Sequence, residues 1–150
     1  MLLVIPVEMR LGGNSFKAME MNALDTSGTR TVLYIDDDPS IISVARIALQ
    51  MRGFKVLTAC DGLEGIEVFK ASAHEIDAIV MDEGMPRMRG AECLRAIREL
   101  DSAIGALMVS GNISQSVREE ALQAGISGFL DKPYHIDDLV GELNRVLAVA

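Results

Sequence analysis

From Thr31 onward the chain repeats one pattern five times: a short apolar run of β-forming residues, then a longer segment with apolar residues at helical spacing. The runs are Val32 to Ile35, Lys55 to Thr58, Ala78 to Met81, Ala106 to Val109 and Gly128 to Leu130. Strands separated by helices of this length pair in parallel, through right-handed crossovers that cover both sheet faces. The pattern therefore predicts a doubly wound α/β fold with five parallel strands. The second run ends in Ala59-Cys60, without the polar chemistry that follows the others, and the order 2-1-3-4-5 sets it at the edge.

The helical segments carry their own start and stop signals. Asp38 can cap the first, Pro39 suits its first turn, Ile41, Ala45, Ala48 and Leu49 form a stripe, and Gly53 stops it. Asp61 with Glu64 resembles a capping box at the start of the second. Cys93, Ile97 and Leu100 line one face of the third, and Val117, Ala121 and Ala124 one face of the fourth. The fifth shows Ile136, Leu139, Leu143, Val146 and Leu147, and the chain ends with it, so no output domain is expected. Residues 1–30 have neither periodicity and are expected to form a flexible N-terminal extension to a domain over 31–150. Met19 and Met21 offer later starts within that head.

Composition narrows the function classes. The 150 residues, 49% apolar, suit one domain with a real core. No run approaches the roughly 20 apolar residues of a membrane span, and Met1 to Val7 lacks a basic flank, so a cytoplasmic protein is expected. A net charge of −8 argues against direct contact with nucleic acid. Cys60 and Cys93 lack metal-ligand spacing and are expected to be small core residues without a disulfide.

Chemistry concentrates where the runs end. Asp36-Asp37 follow the first, Asp82 the third, Ser110 the fourth, and Lys132 lies just past the fifth. A parallel sheet gathers its strand carboxyl ends on one edge, so these residues would share a site. Three carboxylates repel one another, and Mg²⁺ resolves that, because it accepts a few carboxylate oxygens and keeps several waters. Asp82 would be both ligand and nucleophile, since a carboxylate can attack phosphorus to form an acyl phosphate. Lys132 and the metal would offset the charge of the transferring group, while Ser110 and the Gly111 N–H could donate to its oxygens. Taken singly, each residue has a plain reading as a cap, a turn residue or a surface charge. Their joint placement on four of the five runs is what favours a site.

The ordered set Asp36-Asp37-Asp38-Pro39, Met81-Asp82 with Met85-Pro86 and Gly90, Val109-Ser110-Gly111, Ala121 to Gly125, and Phe129 with Lys132-Pro133 resembles the receiver domain of bacterial two-component response regulators. The Val109-Ser110-Gly111-Asn112 turn is most similar to receivers associated with hybrid sensor histidine kinases. The resemblance implies a flavodoxin-like (βα)5 fold and a single-domain response regulator that is not an enzyme. It implies that Asp82 accepts a phosphoryl group from a phosphohistidine on a sensor histidine kinase or a histidine phosphotransfer protein. Asp37 and Asp82 would then bind Mg²⁺ directly, with the Gly84 carbonyl as a third protein ligand and Asp36 acting through water. Lys132 would pair with the phosphoryl oxygens, Gly111 would offer its backbone N–H, Ser110 would turn inward after phosphorylation, and the Lys132-Pro133 bond would be cis. Phe129 holds the family's aromatic switch position, with a plain core aromatic as the other reading. A downstream protein partner would meet the surface of the fourth helix, fifth strand and fifth helix. Glu83 and Gly84 depart from the residues common after the acceptor, and His74 and His135 are read as surface residues. Two other classes remain: a phosphorylation-independent binding module, and a Mg²⁺-dependent small-molecule phosphohydrolase.

Overall fold

The computed structural model describes residues 28–149, so the expectation for the N-terminal extension lies almost wholly outside the described residues. Five strands, β1 (Thr31–Ile35), β2 (Lys55–Ala59), β3 (Ala78–Asp82), β4 (Gly105–Ser110) and β5 (Gly128–Asp131), alternate with five helices. The helices are α1 (Pro39–Met51), α2 (Gly62–Ser72), α3 (Gly90–Leu100), α4 (Gln115–Gln123) and α5 (Ile136–Val149). All pairings are parallel, in the order β2-β1-β3-β4-β5, as the alternation predicts.

The strands read as apolar runs because both sheet faces are covered. Leu33, Ile35, Ile79, Met81, Ala106 and Met108 face α2, α3 and α4. Their neighbours in sequence, Val32, Tyr34, Ala78, Val80, Leu107 and Val109, face α1 and α5. β3 and β4 each extend to the polar residue after the apolar run, so Asp82 and Ser110 are still held by the ladder.

Local signals at the helix ends are used as the sequence suggests. Asp38 Oδ1 accepts from the Ser40 N–H at 2.8 Å with Pro39 in the first turn, and Gly53 takes the left-handed conformation (φ 89°) that lets α1 stop. Asp61 Oδ1 accepts from the Glu64 N–H at 2.8 Å, but the return arm of that box reaches one residue further back, to the Cys60 N–H at 3.0 Å.

Three packing expectations are corrected. In α1 the buried residues are Ile42, Ala45 and Leu49, while Ile41 and Ala48 are only half-buried. This helix carries apolar residues nearly all round, including exposed Val44, Ile47 and Met51, so periodicity could not choose the inward face. In α3 the core residues are Cys93, Leu94 and Ile97, and Leu100 is 51% exposed where the helix gives way to extended Asp101. Cys60 is exposed rather than in the core, since it follows an edge strand and its Sγ donates to Glu64 Oε2; Cys93 is buried, and both are free thiols.

Gly105 shows how tightly α5 sits on β4. A Cβ there would lie 2.2 Å from Val146 Cγ1, a branched methyl on a buried helix residue with no room to retreat. Gly105→Ala is expected to cost about 2 kcal/mol through overpacking. Urea unfolding would measure it, and Val146→Ala in the same chain should recover part of the loss, since the two sites share one contact.

Candidate functional site

The sheet register assembles the site. Ile35 is level with Met81, so Asp36, one step beyond β1, stands beside Asp82 at the end of β3. Ser110 is level with Asp131, which puts Lys132 one step further along the same edge. This edge lies at the switch point between β1 and β3, where the chain's winding reverses and a crevice opens.

Asp36, Asp37 and Asp82 each offer a carboxylate oxygen within 4.8 Å of the other two. The Asp36 side chain is 2% exposed and that of Asp82 12%, while Asp37 is open to solvent. Asp36 is fixed twice: its Oδ1 accepts from the Asp38 N–H at 2.9 Å and its Oδ2 from Lys132 Nζ at 3.0 Å. Lys132 Nζ also donates to Asp82 Oδ1 at 3.2 Å, so one ammonium bridges the two more buried carboxylates. Among the described residues Asp37 has no basic partner.

The electrostatics follow from that arrangement. Burial pushes the Asp82 carboxyl above its ordinary value, the Lys132 ammonium pulls it back, and the charges of Asp36 and Asp37 raise it further. Burial alone would lower Lys132, but the hydrogen bond to Asp36 and the charges of Asp82 and Asp36 leave it raised. Three carboxylates against one ammonium leave two negative charges uncompensated at the edge. A divalent cation with a preference for oxygen fits that donor set and that charge.

The remaining expected residues are close in the fold but differently engaged. Ser110 is buried, and its Oγ accepts from the Asn112 N–H at 3.2 Å, closing the turn after β4 rather than contacting the acids. Gly84 lies beside Asp82, where a Cβ would sit 3.9 Å from Asp82 Oδ2, and Gly111 is exposed with open space around it. The Lys132-Pro133 peptide is cis. Phe129 is half-buried, with the Arg118 guanidinium of α4 stacked 4.4 Å above its ring. His74 and His135 are both exposed.

Sequence reasoning missed what holds the loop after Asp82. Glu83, 4% exposed, accepts from Arg89 Nε at 2.8 Å and from the Ala91 N–H at 3.2 Å. It thereby caps α3 from a distance, at a helix start where Arg89 occupies the cap position and supplies no capping oxygen. Arg89 also reaches Glu120 of α4 at 3.2 Å, so one guanidinium ties the loop to two elements. The usable signal was a helix start with no capping residue, with an acid a few positions upstream. A second omission is a hydrogen bond of 2.6 Å between the hydroxyls of Tyr34 and Tyr134.

Comparison with known proteins agrees with the resemblance drawn from the motifs. The family model of the response regulator receiver domain matches residues 32–144. The chain is 33% identical over 125 residues to the transcriptional regulatory protein PrrA of Mycobacterium tuberculosis, covering 83% of this chain and 53% of that one. It is 32% identical over 125 residues to the sensor kinase CckA of Brucella abortus, covering 83% of this chain and 13% of that one. The chain thus spans about half the length of PrrA and a much smaller part of CckA. Among solved structures, the chemotaxis protein CheY4 of Vibrio cholerae superposes with a TM-score of 0.76 at 32% identity, over 80% of this chain and all of that one. The CheX–CheY–BeF3–Mg²⁺ complex from Borrelia burgdorferi gives 0.75 at 27% identity, over 80% of this chain and 91% of that one. Parallel order, acidic edge and bridging lysine thus occur in a sequence matched across nearly all of its sheet: the chain belongs to the response regulator receiver domain family.

Proposed function

We propose that Asp82 accepts a phosphoryl group from a phosphohistidine on a sensor histidine kinase or a histidine phosphotransfer protein, and that this receiver domain passes the signal on by a change of conformation or by phosphorelay. The observation that carries the reading is Asp82 held against Lys132 Nζ within an acidic cluster that has two uncompensated charges. A carboxylate oxygen of Asp82 forms a bond to phosphorus as the bond from phosphorus to the histidine nitrogen breaks. The imidazole keeps that electron pair and takes up a proton. Lys132 Nζ, now shared between Asp36 and Asp82, turns to the phosphoryl oxygens.

Asp37 and Asp82 would hold Mg²⁺ directly, with the Gly84 carbonyl as the third protein ligand and Asp36 acting through water. Bound there, the ion supplies positive charge against the phosphoryl oxygens. The Gly111 N–H and the Ser110 hydroxyl are the remaining donors, and Ser110 must give up its Asn112 contact to take part. The Borrelia complex, which contains BeF3 and Mg²⁺, supports this reading by family likeness.

A donor needs a surface beside Asp82. A groove of about 590 Å³ lined by Ile41, Val44, Ala48, Pro133 and Ile136 borders Lys132 and suits an apolar face of the donor. Output runs through the neighbouring surface of α4, β5 and α5. Ser110 moving inward would make room for Phe129, whose rotation gives up the contact with Arg118, worth about 0.5–1 kcal/mol, and so loosens α4. The α4–β5–α5 surface then changes for a downstream protein.

Intact mass after incubation with acetyl phosphate and Mg²⁺ tests the reading. A gain of one phosphoryl group per chain is expected. Continuous release of phosphate without labelled protein would favour a phosphohydrolase. No gain from acetyl phosphate or from a phosphohistidine donor, with the fold intact, would favour a phosphorylation-independent binding module. The metal is tested separately. Mg²⁺ at about 100 times its Kd is expected to stabilise the folded chain by about 2.7 kcal/mol, read as a rise in Tm. Asp37→Asn should lose most of that rise, and an equal rise in the variant would remove Asp37 from the ligand set.

A further inference from the structure

We propose that the Tyr34–Tyr134 hydroxyl pair is a positioning brace that holds the loop carrying Lys132 in register with the acidic edge. This rests on the reading of Lys132 given under Proposed function. In the sheet order β1 and β5 are separated by two strands, a span of roughly 14 Å at the usual strand spacing. No backbone hydrogen bond of the sheet can link them directly. Two side-chain bridges do so instead: Asp36 to Lys132 at 3.0 Å and Tyr34 to Tyr134 at 2.6 Å. Each tyrosine lies two residues from its counterpart in the other bridge. In a strand, residues two apart share a face, so Tyr34 and Asp36 project to the same side and the bridges run alongside each other.

Each bridge serves a different moment. The peptide N–H of Lys132 is fixed to the Ser110 carbonyl at 2.9 Å, which anchors the loop on its β5 side. Beyond it, Pro133 and His135 are exposed, and Tyr134 is the half-buried residue between them. During phosphoryl transfer the Lys132 ammonium must change partners, and the Asp36 bridge then no longer holds the loop. The tyrosine pair carries no charge and takes no part in the exchange, so it keeps the lysine's backbone in place while the side chain turns. Tyr34 is 1% exposed, and burying a phenol there is tolerable because Tyr134 completes its hydrogen bond.

Tyr34→Phe, Tyr134→Phe and the double substitution keep both rings and delete the bond. Each single change is expected to slow phosphorylation at saturating acetyl phosphate about tenfold, because a catalytic group is displaced, with the half-saturating concentration unchanged. The double variant should be no slower than the slower single, since the bond is lost with the first change. Hydrogen exchange of the Lys132 amide, which needs no phosphorylation, should speed up about tenfold in all three. Tyr34→Phe leaves the remaining hydroxyl on the half-buried Tyr134, so it is the variant that best preserves the fold. Unchanged exchange, or single-variant losses that multiply in the double variant, would overturn the brace. Faster exchange in the variants of a chain that takes up no phosphoryl group would keep the brace and overturn the receiver chemistry. Lower Tm with unaltered exchange and rate would reduce the pair to ordinary packing.

Discussion

Asp82→Asn is expected to gain no mass from acetyl phosphate and Mg²⁺ under conditions where the unsubstituted chain gains one phosphoryl group. An amide matches the carboxylate in size and can still accept from Lys132, but its delocalised oxygen is no nucleophile toward phosphorus. The same substitution should make the metal-free protein more stable at neutral pH. Burial first, and then the charges of Asp36 and Asp37, raise the Asp82 carboxyl above its ordinary value of 3.8, against the opposing pull of Lys132. A carboxyl raised in the folded state favours folding while it is protonated. That contribution is complete below 3.8 and is lost as pH rises through the raised value. Asparagine never ionises and avoids the loss. The gap between variant and parent should therefore be present at pH 7 and vanish as pH falls below 3.8, as read by urea unfolding across pH. A labelled Asp82→Asn protein would move the acceptor elsewhere on the edge.

The features legible in the sequence are those written locally. Five alternations of run and helix are enough to specify a parallel sheet, and Asp38-Pro39 and Gly53 mark the ends of α1 because capping involves residues only a few positions apart. The acidic edge was legible for a related reason: parallel topology converts "last residue of a strand" into "same site" without any knowledge of side-chain paths. What stayed hidden depends on neighbours distant in sequence. Ile41 and Ile42 are equally apolar, and only the sheet decides that Ile42 turns inward. Leu100 fits the stripe of α3 but falls where the helix ends, beyond the surface it would cover. Glu83 looks like a solvated acid until Arg89 and the Ala91 N–H are seen to enclose it. The tyrosine pair joins residues 100 positions apart, and nothing in either local sequence announces the other.

Lys132→Ala is expected to destabilise the metal-free protein by about 3 kcal/mol, because removing one partner of a mostly buried ion pair leaves the other charge uncompensated. Here two carboxylates lose the same ammonium: Asp36 Oδ2 at 3.0 Å and Asp82 Oδ1 at 3.2 Å. Mg²⁺ should restore part of the loss, so its stabilising effect should be larger in the variant than in the parent. The pH dependence has a definite sign. Lys132 is lowered by burial but raised overall by Asp36 and Asp82, so its contribution is complete below the ordinary lysine value of 10.5. It disappears as pH rises through the raised value. The stability gap between parent and variant should hold through the neutral range, close on that alkaline limb as Lys132 loses its proton, and shrink in acid as the Asp82 carboxyl gains one. Phosphorylation of the variant should no longer produce the conformational change expected of the parent, since the ammonium that would tie β5 to the new phosphoryl group is gone. Tyrosine absorbance recorded on the phosphorylated and free forms would show this. Alanine variants as stable as the parent without Mg²⁺, or with an unchanged phosphorylation-dependent spectral shift, would mean that the acidic edge is balanced by something other than Lys132.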